Sequence, residues 1–222
     1  MKLSEVKIII FETFVNLENE YGYKLSKGKF GFIKKEKGSV SGLYFTENHW
    51  FDEVQIMPAI CVDVEEINVI WKKFNNNIGY TYFMNLLELK DWYDLGFVKW
   101  EKFKRDQGNK YKLFDYDNDL KSAINEIQDL FKNYGLKYVN DFSNLEGVDK
   151  LYNTNLLENK NPHCSGLQVQ SIVGMISAKL SSNSNYKVIT DVYSDLLEKH
   201  RLENTMNLND IETFYKIKKY LG

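Results

Sequence analysis

The spacing of hydrophobic residues changes along the chain. Residues 3–21 and 119–221 repeat their apolar positions every three to four residues, which is typical of helices. Residues 23–64 and 80–89 alternate apolar and polar positions, which is typical of strands. This order predicts an α+β fold: an antiparallel sheet of about five or six strands, preceded by one helix, containing one inserted helix and followed by a C-terminal block of helices.

The strand-like part of the chain contains several recognisable boundaries. Gly22 follows the first helical segment and is placed to end it. Residues 54–64 form the clearest predicted strand, since apolar residues recur there at alternate positions. Further along, residues 98–104 and 110–114 are predicted to pair as a hairpin. The 80–89 segment is predicted to be a strand with both faces covered.

The helical segments are predicted from their caps and their small residues. Asp63 with Glu66, and Ser143 with Glu146, resemble capping boxes and predict helices directly after them. Gly135 is placed to close the helix that begins near residue 119. Three more helices are predicted near 166–180, 186–200 and 209–221. The first of these has one charge in its span and small residues at helical spacing, which predicts the most buried helix of the chain.

Composition places the protein among ordinary globular proteins. The apolar share is 43%, with 15 Tyr and 14 Phe, which is far above that of a disordered chain. Two cysteines in 222 residues, without a partner motif, favour a reducing compartment. The N-terminus lacks the layout of a signal peptide. We therefore expect a cytoplasmic protein without membrane association, of bacterial origin given the Lys- and Asn-rich composition.

The predicted domain organisation is a single α+β domain over residues 1–222. A sheet-rich part over 1–116 and a helical part over 117–222 is the alternative subdivision. No internal repeat marks another boundary.

Chemical motifs are absent from the sequence. We find no phosphate loop, dinucleotide fingerprint, metal-ligand pair or nucleophile elbow, and therefore predict no cofactor and no metal. Asp115 to Glu126 resembles a calcium loop, but Leu120 stands at the position that must adopt a positive φ. Capping of the following helix is the preferred interpretation of these acids.

Two segments are weak candidates for catalysis. His49, Asp52 and Glu53 lie in a predicted strand-to-strand loop and can form an acid/base pair. Cys164 follows His163 just before a predicted helix, where a thiol is acidified. The ordinary alternatives are turn residues that hydrogen-bond locally and a loop cysteine without a catalytic role.

Aromatic residues in the same region favour binding rather than catalysis. Residues 44–53 and 98–112 carry rings that the helical block is not expected to cover fully, and rings on a rigid scaffold are usual interface anchors. Basic residues over 99–112 also resemble a single-strand nucleic-acid surface, but the net charge of −2 disfavours that partner. The predicted partner-binding residues are Tyr44, His49, Trp50, Phe51, Trp100 and Phe103.

The function favoured by these patterns is that of a non-catalytic interaction protein with a protein partner. Toxin-neutralising immunity proteins and other regulatory binding proteins are examples of this class. The alternative is a small hydrolase-type enzyme with its site near the 49–53 loop. A deep cleft uniting His49, Asp52 or Glu53 with a distant polar group would favour the enzyme.

Overall fold

The computed structural model describes residues 3–50, 53–76, 82–95, 111–113, 116–154, 156, 166–203 and 205–222. The fold is α+β with an antiparallel sheet, an early helix, an inserted helix and a C-terminal helical block, as predicted. Contacts divide the chain into two compact units, each assembled from segments distant in sequence. Unit 1 comprises Met1–Glu36, Val40–Val62 and Phe83–Asn140, and unit 2 comprises Lys37–Ser39, Asp63–Tyr82 and Asp141–Gly222. The expectation of a single domain stays a prediction.

The secondary-structure elements follow one another in mixed order. The strands are β1 (Lys24–Ser26), β2 (Gly31–Glu36), β3 (Ser39–Trp50), β4 (Glu53–Val64), β5 (Tyr82–Asn85) and β6 (Tyr111–Leu113). The helices of the described residues are α1 (Leu3–Thr13), α2 (Asn16–Tyr21), α3 (Glu65–Phe74), α4 (Leu86–Leu95), α5 (Tyr116–Leu130), α6 (Leu136–Phe142), α7 (Leu145–Asn153), α8 (Leu167–Leu180), α9 (Tyr186–Leu202) and α10 (Leu208–Leu221).

The sheet lies mainly in unit 1 and has the strand order β1-β2-β3-β4-β5, with β6 also paired to β4. β1 pairs antiparallel with β2, with Leu25 opposite Phe32. β6 pairs antiparallel with β4, with Gln55 opposite Lys112. The predicted strand over 54–64 is confirmed. Residues 111–113 pair with β4, while residues 98–104 lie outside the described residues, so the predicted hairpin stays a prediction.

One face of the sheet packs against α1 through phenylalanine rings. The ring centroid of Phe14 lies 5.9 Å from that of Phe32 and 5.6 Å from that of Phe45. All three rings are buried. The predicted helix over 3–21 is interrupted after Thr13, where the Leu17 N–H donates to the Phe14 carbonyl at 3.0 Å in a tight turn. Gly22 ends α2 with a φ of 78°, as predicted.

The strand predicted over 80–89 is wrong beyond Asn85. The Asn85 Oδ1 accepts from the Leu87 N–H at 2.9 Å, which is the hydrogen bond of a helix N-cap. β5 therefore ends and α4 begins at this residue. Leu86 and Leu89 are fully buried in the first turns of α4. A continuous apolar run fits a buried strand and a buried helix equally well, so its period did not reveal the change.

Gly135 does not end a helix, contrary to the sequence prediction. A π-helical turn, Phe131–Gly135, continues α5 into α6. A Cβ atom at Gly135 would lie 3.1 Å from the Phe131 Cδ2 and 3.3 Å from the Leu86 Cδ1. The glycine therefore permits close packing of α4 against the π turn, rather than terminating the helix.

Unit 2 is built around α8, which contacts α3, α7, α9 and α10. Residues 170–178 of α8 are all buried, which makes it the most buried of the described helices, as predicted. The predicted capping boxes are wrong in detail. Asn144 rather than Ser143 caps α7, accepting from the Gly147 N–H at 2.8 Å. The Asp63 Oδ1 accepts instead from the Asn68 side chain at 2.8 Å.

No helix within the described ranges is long and apolar enough to cross a membrane.

Candidate interaction surface

The two faces of β3 differ in their burial. Alternate residues of a strand point to opposite faces of the sheet. Leu43 and Phe45 are buried on the face that packs against α1. On the opposite face, Tyr44 is half-buried and Thr46 is exposed. This second face is therefore only partly covered.

The Tyr44 ring lies over two glycines of neighbouring strands. A Cβ atom at Gly42 would lie 2.6 Å from the Tyr44 Cε2, and one at Gly31 would lie 2.8 Å from the Tyr44 Cδ1. The ring thus occupies the space that a side chain at Gly42 would fill, and it shares the space at Gly31 with the backbone carbonyl of Leu43. An aromatic ring over strand glycines restores the packing that the glycines lack. Tyr44 is consequently held flat against the sheet, with part of its surface accessible.

The surroundings of this ring are largely apolar. Ile33 shares the face of Gly31 on β2, and Val40 shares the face of Gly42 on β3. Both side chains are half-buried. We define the Tyr44 surface as Tyr44 with Gly31, Gly42, Ile33, Val40 and Thr46.

The structure brings only part of the predicted site onto described elements. His49 and Trp50 are the last two residues of β3, and Glu53 is the first of β4, so these three belong to strands rather than to a loop. The remaining candidates, Phe51, Asp52, Trp100, Phe103 and Cys164, lie outside the described residues. Their assignments stay predictions, as does the basic run over 99–110.

The calcium alternative is contradicted by the backbone. α5 begins at Tyr116, so Asp117 and Asp119 stand in the first turn of a helix. A calcium loop of the predicted spacing requires its acidic residues to lie before the helix and to wrap around the ion. In the described part of the chain, no group of three His, Cys, Asp or Glu side chains is placed to hold a metal ion.

A partly buried polar network in unit 2 was not found from the sequence. The Asn153 Nδ2 donates to the Asp149 Oδ1 at 2.5 Å and to the Gly174 carbonyl at 2.9 Å. The Asn183 Nδ2 donates to the other Asp149 carboxylate oxygen at 2.6 Å. The Tyr193 hydroxyl lies within hydrogen-bonding distance of both the Tyr152 carbonyl and the Asn153 Oδ1, at 3.0 and 3.1 Å.

This network connects α7, α8, α9 and the turn between α8 and α9. Each of its side chains is engaged by neighbours within unit 2, which is the arrangement expected of a structural network. The only local signal in the sequence is the i, i+4 spacing of Asp149 and Asn153. Tyr193 is 40 residues further along, so the sequence pattern could not reveal its contact with Asn153.

Comparisons with protein-family models, with curated proteins and with solved structures found no match for this chain.

Proposed function

We propose that the protein acts by binding another protein. In this proposal the partner contacts the Tyr44 surface together with the last residues of β3 and the first residues of β4. The observation that supports this most directly is the fixed, half-exposed Tyr44 ring. Tyrosine is enriched among residues that dominate binding energy, and a ring already held in place loses little conformational freedom when a partner covers it. A regulatory or toxin-neutralising role is the form of this function that we favour.

The apolar rim of the ring also supports a protein partner. Ile33 and Val40 add partly exposed apolar area to an antiparallel sheet, and such a face is a usual site for the packing of a second layer. A protein covers such an area more readily than a small polar ligand does. His49, Trp50, Phe51, Trp100 and Phe103 belong to the same proposal through their positions in the sequence.

The experiment begins with capture of a partner by the tagged full chain from cells that express it, followed by calorimetric titration with the purified partner. Tyr44→Ala is expected to weaken binding by about 2 kcal/mol, which is roughly 30-fold. Trp50→Ala and Trp100→Ala test the remaining part of the proposed surface. Tyr220→Ala is the matched control, since Tyr220 is an exposed tyrosine of unit 2.

Urea unfolding of the same variants separates binding from folding. A Tyr44→Ala variant that keeps its affinity but loses stability would show that the ring only completes the sheet packing. Equal loss of affinity in Tyr44→Ala and Tyr220→Ala would also contradict the proposal, because it would place the interface elsewhere.

A further inference from the structure

A second partly apolar surface lies in unit 2, between the last turns of α9 and the outer face of α10. It forms an open groove of about 650 Å³. Leu208 and Tyr215 line the groove, with 60% and 41% of their surface exposed. Exposed apolar residues grouped in this way, rather than scattered singly, mark interaction surfaces.

The positive and negative charges of the groove residues nearly balance. Its acidic residues are Glu198 and Glu212, and its basic residues are Arg201, Lys216 and Lys219. The Arg201 Nε donates to the Glu198 Oε2 at 2.8 Å, and the Lys216 Nζ donates to the Glu212 Oε2 at 3.3 Å. The first pair lowers the pKa of Glu198, chiefly through the hydrogen bond from Arg201. Two identical surfaces of this kind can approach without strong net repulsion.

The distribution of charge along α10 determines which partner fits the groove. On the groove side of α10, the acidic residue Glu212 lies in the first half of the helix, and the basic residues Lys216 and Lys219 lie in the second. A two-fold axis across the helix places a second copy antiparallel to the first. Each acidic half then faces the basic half of the other copy, and the helix dipoles oppose one another as well.

We infer that the α9–α10 groove is a self-association surface, occupied by the same groove of a second copy in an antiparallel, two-fold arrangement. Tyr215 lies between Glu212 and Lys219, which are about 10 Å apart along the helix, so its ring stands at the middle of the interface. The second copy buries Leu208 and Tyr215 and brings each Glu212 near the basic half of the other copy's α10. This surface uses none of the residues of the Tyr44 surface.

Sedimentation of the full chain at increasing concentration, up to about 500 µM, tests the association itself. The expected result is a reversible shift from the 26.2 kDa monomer to twice that mass. A chain that stays monomeric throughout this range would overturn the inference.

Two charge variants test the arrangement. Glu212→Lys makes the α10 side of the groove entirely basic, and the double variant Lys216→Glu/Lys219→Glu makes it entirely acidic. Each variant alone is expected to weaken self-association at least tenfold through like-charge repulsion. An equimolar mixture of the two is expected to form a heterodimer about as tightly as the original chain associates with itself, because the charges are again complementary.

The control is Lys150→Glu/Lys187→Glu, which makes the same charge change at exposed positions of α7 and α9 outside the groove. Circular dichroism checks that every variant keeps its helical content. Dimerisation that both groove variants leave intact would show that another face is used, and a mixture that stays monomeric would show that the two grooves do not face one another. Either result overturns the inference.

Discussion

The interiors of the two units are held together by different interactions. Unit 1 packs α1 and the residue after it on the sheet through rings, with Phe11 6.1 Å from Phe32 and Phe14 5.6 Å from Phe45 between centroids. Unit 2 surrounds α8 with apolar side chains but also places Asp149, Asn153 and Tyr193 in a hydrogen-bonded network inside the unit. Apolar packing has little directional preference, whereas buried hydrogen bonds require particular partners.

Because of this difference, we expect the two units to tolerate different amino-acid substitutions. A ring cluster accepts other apolar residues of similar volume at modest cost. A buried polar network does not, because each lost partner leaves another polar group unsatisfied. We therefore expect substitutions around α8 to be more damaging than substitutions in the ring cluster of unit 1.

The largest effect is expected from Ile176→Ala. Ile176 is fully buried in the middle of α8, so truncation leaves a cavity and costs about 2–5 kcal/mol in the free energy of unfolding. Urea unfolding followed by circular dichroism measures the loss. A loss below about 0.5 kcal/mol would contradict the central position of α8 in unit 2.

Gly174→Ala is expected to cost about 2–4 kcal/mol, although alanine favours helices. The added Cβ would overlap the Tyr193 hydroxyl and lie 2.7 Å from the Asn153 Oδ1, so the network must open to admit it. Gly166→Ala is the control at the residue just before the same helix, because a Cβ there meets nothing within 4 Å. Similar unfolding energies for both variants would show that the network yields easily.

Tyr23 tests the polar contribution to unit 1 through its pH dependence. Its hydroxyl lies 2.9 Å from the Ser41 Oγ in the interior, and burial raises the pKa of Tyr23 to about 12. Since the unfolded pKa is about 10, the neutral phenol stabilises the fold fully below pH 10, and this contribution of about 2–3 kcal/mol is lost as the pH rises through 12.

Unfolding of the original chain and of Tyr23→Phe at pH 9 and pH 11 measures this contribution. The original chain is expected to lose about 1 kcal/mol more than the variant between these values. Tyr220→Phe, at an exposed tyrosine, controls for the change in tyrosine number. An identical pH dependence for the original chain and Tyr23→Phe would show that Tyr23 ionises without cost to the fold.

One substitution in the interior of each unit, compared by its effect on the free energy of unfolding, tests the difference between the two interiors directly. Tyr193→Phe keeps the ring but removes a hydroxyl with two partners, and is expected to cost about 1–2 kcal/mol. Phe14→Leu keeps the apolar character of the α1 contact and is expected to cost less, at most about 1.5 kcal/mol. Thermal and urea unfolding give both values. A greater cost for Phe14→Leu would reverse the comparison and make ring packing the more specific interaction.

The hydrophobic period of the sequence determined the fold class and several elements of both units. The alternation over 54–64 indicated β4, and the near absence of charge over 166–180 indicated the burial of α8. Gly22 indicated the end of α2 because a left-handed residue is needed there. These features depend on neighbours a few residues away, which is the range over which propensity and periodicity act.

The tertiary structure alone decided the features that depend on distant residues. Gly135 is explained by its close approach to Leu86 on α4, which the chain brings to it from a separate segment. The Tyr44 ring covers glycines on two strands, and Tyr193 reaches Asn153 across 40 residues. Such contacts form only when the chain brings separated segments together, so no local pattern in the sequence records them.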